Sequence, residues 1–313
     1  MKQAPSYLRV SVTDRCDLHC VYCRPRADPA RQEHHSLTRA EVVRFVRAAS
    51  ACGVTKVRLT GGEPLLHKDI ISIVRKLSSL GAVRFLGLTT NGQQLAPVAQ
   101  ALHRAGLQSV NISLPSLAPE VYRRVTGGVL GNVLAGLEAA LRAGFAPVKL
   151  NVVVLRGIND GEVAALASLA RRDPVEVRFI ECMPFRHAPQ NSDLFVPAAE
   201  VLPKLQSLGR LSPQPSLDPS SSATRFAIRG FRGVVALIAP MTRPFCRKCN
   251  RIRLTADRRL RACLVDAGEL DARRALSGGA DAEAVRELIE KTMMLKPRLH
   301  SERFCGAMAR IGG

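Results

Sequence analysis

Between Leu8 and about Glu181 the chain alternates short β-rich runs with helical patterns six times over, and that alternation restricts the fold more than any other feature. The expected strands are Leu8–Val12, Lys56–Thr60, Phe85–Thr89, Ser109–Ser113, Val148–Val154 and Val175–Glu181. They are bounded by turn residues and rich in Val, Ile and Leu on both faces, the pattern of strands buried in a parallel sheet. Thr38–Cys52 opens with a capping box from Thr38 to Glu41 and carries Val42, Phe45, Val46 and Ala49 on one stripe, as a core-facing helix does. Asp69–Leu80, Gln94–Ala105, Asn132–Ala143 and Glu162–Arg171 read the same way. Repeated strand–helix units imply an α/β parallel sheet with right-handed crossovers. Six units suffice for a partial barrel and not for a closed eight-fold one; periodicity alone also fits an open doubly wound sheet.

A composition break follows. Arg210–Ser222 is rich in Ser and Pro and reads as a loop or linker, which divides the chain into 1–210 and 211–313. Beyond it, Thr224–Ile228 and Val234–Ile238 are expected as paired strands and Ala282–Thr292 as a helix. The unusual polar clusters fall on one predicted edge: Cys16 follows strand one, Gly61–Pro64 strand two, Thr89-Thr90-Asn91-Gly92 strand three, Ser113 strand four, and Arg178 to Met183 strand six. In βα barrels that edge, the C-terminal ends of the strands, is where functional groups gather.

Of nine cysteines, six form two tight groups, Cys16/Cys20/Cys23 and Cys246/Cys249/Cys263. In a chain with no secretory pattern in Met1–Val10 and no apolar run near the roughly 20 residues of a membrane span, the cytoplasm is the expected location and a disulfide framework is not expected. Metal or cluster ligation is the natural reading. Three thiolates can hold three irons of a 4Fe-4S cube and leave the fourth iron open for chemistry. A zinc site is the alternative for each group, with His19 as fourth ligand in the first and a distant residue in the second. Beside the second group, Arg251 and Arg253 stand two apart on an extended segment, so they share a face and can meet an anion together. Cys52, Cys182 and Cys305 read as buried thiols.

The formal charge is +20, from 46 Lys+Arg against 26 Asp+Glu. Such an excess favours an anionic partner, unless it only decorates solvated faces. With no Trp, three Tyr and no basic tail, a small polyanion fits better than a nucleic acid. Lys149 and Arg178 lie within otherwise apolar strands, where a free surface charge is least expected.

Cys16-x3-Cys20-x2-Cys23 with Tyr22 before the last cysteine resembles the signature of the radical S-adenosylmethionine superfamily, and Gly61-Gly62-Glu63-Pro64 resembles its Gly-Gly-Glu-Pro motif. The stretch Phe245–Asp257, together with matches from Leu8–Cys23 to the terminal Ile311-Gly312-Gly313, resembles the molybdenum cofactor biosynthesis protein A family, the GTP 3′,8-cyclases. The resemblance implies a partial (β/α)6 TIM-like barrel of the radical SAM type, with a C-terminal α+β extension carrying a second cluster. It implies two 4Fe-4S clusters, on Cys16, Cys20 and Cys23 and on Cys246, Cys249 and Cys263, with S-adenosylmethionine contacted by Tyr22, Gly61, Gly62, Glu63, Ser113 and Met183. Arg9, Arg58, Thr89, Lys149, Arg178, Arg251 and Arg253 match positions that contact GTP, with Arg9, Arg251 and Arg253 closest to the chemistry. The implied reaction is abstraction of the ribose 3′ hydrogen by a 5′-deoxyadenosyl radical, attack of the sugar radical on guanine carbon 8, and reduction to 3′,8-cyclo-7,8-dihydro-GTP. An electron donor and a downstream cyclic pyranopterin monophosphate synthase are the implied partners; a homodimer is compatible, and neither membrane nor nucleic acid is expected.

Four positions depart from the family pattern: Arg24 for Met, His67 for Arg, Pro115 for Asp and Arg258 for Gly. They leave room for a two-cluster paralogue acting on another nucleotide or a peptide. A peptide-modifying enzyme would be expected to carry a docking domain before the barrel. The remaining alternative is a zinc-bearing nucleic-acid-binding protein. Gly312-Gly313 reads either as a tail reaching the active site or as a frayed terminus.

Overall fold

The computed structural model describes residues 5–23, 34–185, 192–216, 221–265, 268–277, 282–297 and 299. Arg24, Cys305 and the Gly312-Gly313 tail lie outside the described residues.

The six expected strands form as β1 (Tyr7–Ser11), β2 (Lys56–Thr60), β3 (Phe85–Thr90), β4 (Ser109–Ser113), β5 (Val148–Val154) and β6 (Val175–Glu181), each parallel to the next. Between them run α1 (Arg39–Ala51), α2 (Ile70–Ser78), α3 (Ala99–Arg104), α4 (Pro119–Thr126), α5 (Leu130–Ala143), α6 (Val163–Ala167) and α7 (Leu169–Arg172). The Thr38–Glu41 capping box is present in both directions, and Val42, Phe45, Val46 and Ala49 are the buried face of α1. The helix expected over Gln94–Ala105 is confined to α3, because residues 93–98 form turns; the Glu162–Arg171 pattern breaks at Ser168 into two short helices. No helix was expected over Pro119–Thr126, where two arginines mask the stripe of Tyr122, Val125 and Thr126.

After β6 come α8 (Ala198–Gln206), β7 (Leu211–Gln214), β8 (Thr224–Ile228), β9 (Val234–Ile238), β10 (Arg251–Leu254), β11 (Arg259–Arg261), β12 (Glu269–Asp271), α9 (Arg273–Leu276) and α10 (Ala282–Met294). The stretch read as a linker, Arg210–Ser222, thus opens with a strand; β7 is an exposed edge that tolerates Pro213, and its ladder partner β8 supplies the regularity its sequence lacks. The sheet order is β12-β11-β10-β1-β2-β3-β4-β5-β6-β9-β8-β7. Strands from the last third of the chain therefore flank the repeat on both sides: β10 runs parallel to β1 and β9 parallel to β6. Among the described residues eight parallel strands result, two more than the repeat alone provides, and β8 and β9 pair antiparallel as expected.

The apolar residues of these strands and the inward helix faces make one continuous core, from Leu8 and Phe45 to Ile252, Leu260 and Ile289. Burial of this apolar surface, at about 25 cal/mol per Å², is what holds the layers together.

Candidate active site

The first cysteine loop leaves β1 and is clamped by the turn after β2. Gly62 N–H donates to the Thr13 carbonyl at 2.7 Å and Glu63 N–H to the Arg15 carbonyl at 2.6 Å. A Cβ at Gly61 would lie 2.3 Å from the Thr13 oxygen, and one at Gly62 would lie 2.2 Å from the Arg15 oxygen. The sequence suggests glycines that admit a ligand; the structure shows that the cysteine loop itself requires them. Glu63 is fully buried. Its carboxylate accepts from Leu65 N–H (3.0 Å), Thr90 Oγ1 (2.8 Å) and Asn91 N–H (2.7 Å), although burial still pushes its pKa up to about 7. Glu63 thus ties the ends of β2 and β3 together. Asn91 Nδ2 in turn donates to Asp17 Oδ1 at 2.6 Å and lies 4.0 Å from Cys16 Sγ.

Across the loop, His19 N–H and Val21 N–H donate to the Thr126 and Val125 carbonyls at the end of α4. Cys20 and Cys23 pack against Tyr22, Val125, Leu155 and Cys182. Burial pushes the Cys16 and Cys20 thiols up to about 12. Thiols so placed ionise when a cationic partner such as iron takes the sulfur. This donor set, three thiols on one cavity wall, fits a cluster held through three of its irons.

The second group sits beside β10. Cys246–Lys248 forms a single 3-10 turn that brings Cys249 N–H onto the Cys246 carbonyl at 3.1 Å. Cys263 follows β11, the antiparallel partner of β10, so pairing returns it towards Cys249. All three thiols line one cavity of about 600 Å³. Although burial works against it, the charge of Lys296, with Arg251 and Arg253, holds the Cys249 thiol below its ordinary pKa.

That cavity is walled by cations. Tyr7 and Arg9 on β1 stand beside Arg251 and Arg253 on β10, residue for residue. Arg58 is buried and committed: its guanidinium donates to Tyr7 Oη (3.0 Å) and the Leu88 carbonyl (2.9 Å), lying flat on Gly87, where any Cβ would meet it at 2.7 Å. Lys149 faces the same space, and burial, reinforced by Arg178, lowers its pKa to about 7. Among the described residues one acid shares the wall: Glu176 pairs with Arg178 at 2.6 Å and with Arg225 of β8 at 3.2 Å. Such an enclosure of cations is built for a multiply charged anion.

A second cavity of about 180 Å³ is lined by Cys16, Cys20, Cys23, Tyr22, Gly61, Gly62, Thr89 and Ser113. Asn151, Ile180, Met183 and Leu264 border both cavities, so the two sulfur groups open on adjoining space.

Set against the sequence reading, Arg9, Arg58, Lys149, Arg178, Arg251 and Arg253 meet in the larger cavity, whereas Thr89 lies in the smaller one with the first cysteine group. Of the residues matched to S-adenosylmethionine, Tyr22, Gly61, Gly62, Ser113 and Met183 line the smaller cavity, while the Glu63 carboxylate is turned to its backbone partners. Missed entirely were Tyr7, Lys56, Asn111, Asn151, Glu176 and Arg225. The first five were findable, since each stands two residues from a predicted site residue on the same strand and so shares its face. Arg225 gave no such signal.

Two of the departures from the family pattern, His67 and Arg258, have structural duties, whereas at Pro115 only the backbone carbonyl is engaged. His67 is buried, with Nε2 2.8 Å from the Leu37 carbonyl and Nδ1 accepting from Asp69 N–H. The Pro115 carbonyl accepts from Asn159 Nδ2 at 2.7 Å. Arg258 adopts a φ of 62°, the left-handed region that favours Gly, and is held there by a 2.7 Å ion pair to Glu41.

Residues 10–170 match the model of the Radical SAM superfamily, and 175–302 match Molybdenum Cofactor Synthesis C. The GTP 3′,8-cyclase of Moorella thermoacetica is 41% identical over 314 residues, covering 98% of this chain and 97% of that enzyme. This chain belongs to the GTP 3′,8-cyclase family. The enzyme of the same name from Thermodesulfovibrio yellowstonii is 40% identical over 98% of this chain and 97% of its own length. Among solved structures, Streptococcus suis SuiB bound to S-adenosylmethionine superposes with a TM-score of 0.64 at 15% identity. The alignment covers 86% of this chain and spans 63% of SuiB, and that likeness extends to the fold alone. As a family member this chain is a radical SAM enzyme with iron–sulfur clusters. No described helix is long and apolar enough to cross a membrane.

Proposed function

We propose that this chain converts GTP to 3′,8-cyclo-7,8-dihydro-GTP in molybdenum cofactor biosynthesis. The observation that carries the reading is the junction at Asn151, Ile180, Met183 and Leu264, where the cavity of the first cysteine group adjoins the cation-walled cavity of the second. Bound at the first group, the cluster and S-adenosylmethionine supply a hydrogen-abstracting radical.

The chain's own residues bind and orient. A triphosphate with about four negative charges is gripped by Lys149, Arg178 and the paired arginines of β1 and β10, whose planar forks suit phosphate oxygens. Asn111 Oδ1 and Asn151 Oδ1 are buried acceptors with no hydrogen-bond partner among the described residues, and both border the cavity, where ribose or guanine donors satisfy them. Holding the nucleotide across the junction fixes which carbon meets the radical, and such positioning accounts for much of an enzyme's advantage. In the net change one electron cleaves S-adenosylmethionine to methionine and the deoxyadenosyl group, and the ribose C3′–H bond breaks with its hydrogen passing to 5′-deoxyadenosine. A bond forms between C3′ and C8, and a second electron and one proton enter the ring. An external electron donor delivers both electrons, and an enzyme that rearranges the cyclised nucleotide takes the product. The cytoplasm is the proposed site of action, and the division at residue 210 separates the radical-forming part, which also supplies Arg9, Arg58, Lys149 and Arg178 to the substrate cavity, from the extension that carries the second cysteine group.

The test is anaerobic incubation of reconstituted protein with GTP, S-adenosylmethionine and dithionite, followed by mass analysis. The reading expects 5′-deoxyadenosine and an equal amount of cyclised nucleotide. S-adenosylmethionine cleavage without any GTP-derived product sinks it.

A further inference from the structure

Lys296 follows α10 and points back across the sheet edge. Its ammonium donates to the Arg251 carbonyl at 2.7 Å and to the Ala262 carbonyl at 2.8 Å, and it is also hydrogen-bonded to the Cys249 side chain. These partners belong to two segments eleven residues apart, from 251 to 262. Arg251 opens β10, two residues after Cys249; Ala262 follows β11 and immediately precedes Cys263. The antiparallel ladder between β10 and β11 runs through Arg253–Arg261 and Leu254–Leu260 and does not reach the cysteines. One ammonium, with three donors and no acceptor, therefore joins the ends that the ladder leaves open.

We infer that Lys296 is a positioning residue for the second cluster: it clamps the Cys249 and Cys263 segments together and places a fixed positive charge beside their sulfurs. The inference rests on the second cysteine group carrying a cluster. Two physical points support it. A lysine gains little from leaving water unless its ammonium is fully engaged, and here two carbonyls and a sulfur engage it. A fixed cation beside a cluster favours the more negative, reduced state and so raises the reduction potential. α10 keeps the lysine in place by burying Val285, Ile289 and Met293, with α1 as its main neighbour.

The test compares full-length wild type with Lys296→Met and Lys296→Gln, reconstituted anaerobically; Lys291→Met, at an exposed ion pair with Glu287, is the control. Iron and sulfide per chain are counted, and the clusters are titrated by electron paramagnetic resonance, with added S-adenosylmethionine marking the first cluster's signal. Wild type and the control hold about eight irons per chain. Lys296→Met is expected to keep the first cluster's signal while losing much of the second. Lys296→Gln retains donors without charge, so the second cluster is expected to persist with the reduced state disfavoured at least tenfold, a fall of about 59 mV. Full second-cluster occupancy in the Met variant overturns the clamp. An unchanged potential in the Gln variant overturns the charge effect. None of these measurements uses GTP, so a wild type that fails to cyclise GTP leaves the inference standing or falling on its own.

Discussion

Arg9 and Arg253 stand directly opposite one another on adjacent parallel strands in the wall of the larger cavity, Arg253 buried and Arg9 half-buried. Burial and each arginine's proximity to others lower both pKa values, that of Arg253 to about 10, so an anion bound between them offsets their mutual repulsion. Arg9→Met is therefore expected to lose most of the GTP-induced rise in Tm, measured by thermal unfolding with and without the nucleotide. An undiminished rise contradicts the account.

The two cavities separate radical formation from substrate grip. Cys16→Ala should abolish reductive cleavage of S-adenosylmethionine. Arg251→Ala should spare that cleavage and weaken GTP binding about tenfold or more, the worth of one charge-assisted contact. Calorimetric titration with GTP and quantification of 5′-deoxyadenosine distinguish them; full cyclase activity in the Arg251 variant refutes its role.

Gly61→Ala places a methyl 2.3 Å from the Thr13 carbonyl, a backbone atom that cannot move without the cysteine loop. Iron content should fall from about eight to about four per chain, the second cluster persisting. Undiminished iron in this variant shows that the clamp on the loop is dispensable.

Glu176 holds Arg178 and Arg225 in place of an anion. Glu176→Gln leaves half-buried Arg178 without its counter-charge and is expected to cost about 3 kcal/mol of stability before GTP is added. Because the nucleotide then supplies the missing charge, the GTP-induced rise in Tm should exceed that of wild type. An equal or smaller rise counts against the arrangement.

Lys149 has its pKa lowered to about 7 in the cavity by burial and by Arg178. As pH rises through 7 the lysine loses its proton unless a polyanion restores it. GTP binding above pH 7 should therefore take up a proton, and affinity should fall as pH rises from 7 to 9. Calorimetry in buffers of different ionisation enthalpy measures the uptake; Lys149→Met should abolish it, and an undiminished uptake in that variant assigns the proton elsewhere.

The cysteine spacings, the glycine pair and the strand–helix alternation were legible because each is a local pattern whose chemistry is fixed within a few residues. Period two carried information that was only partly used: Arg9 implies Tyr7, and Arg178 implies Glu176. The helix at Pro119–Thr126 escaped because its buried stripe is only two turns long and is interrupted by Arg123 and Arg124.

From the sequence alone came six parallel strands, two three-thiol groups and an excess of cations in search of an anion. Tertiary structure alone decided that β10 would lie against β1 and β9 against β6, for pairing partners are chosen by the burial of whole sheet faces rather than by any local motif. That choice sets Arg253 beside Arg9, brings Arg225 to Glu176, and opens both cysteine groups onto adjoining space.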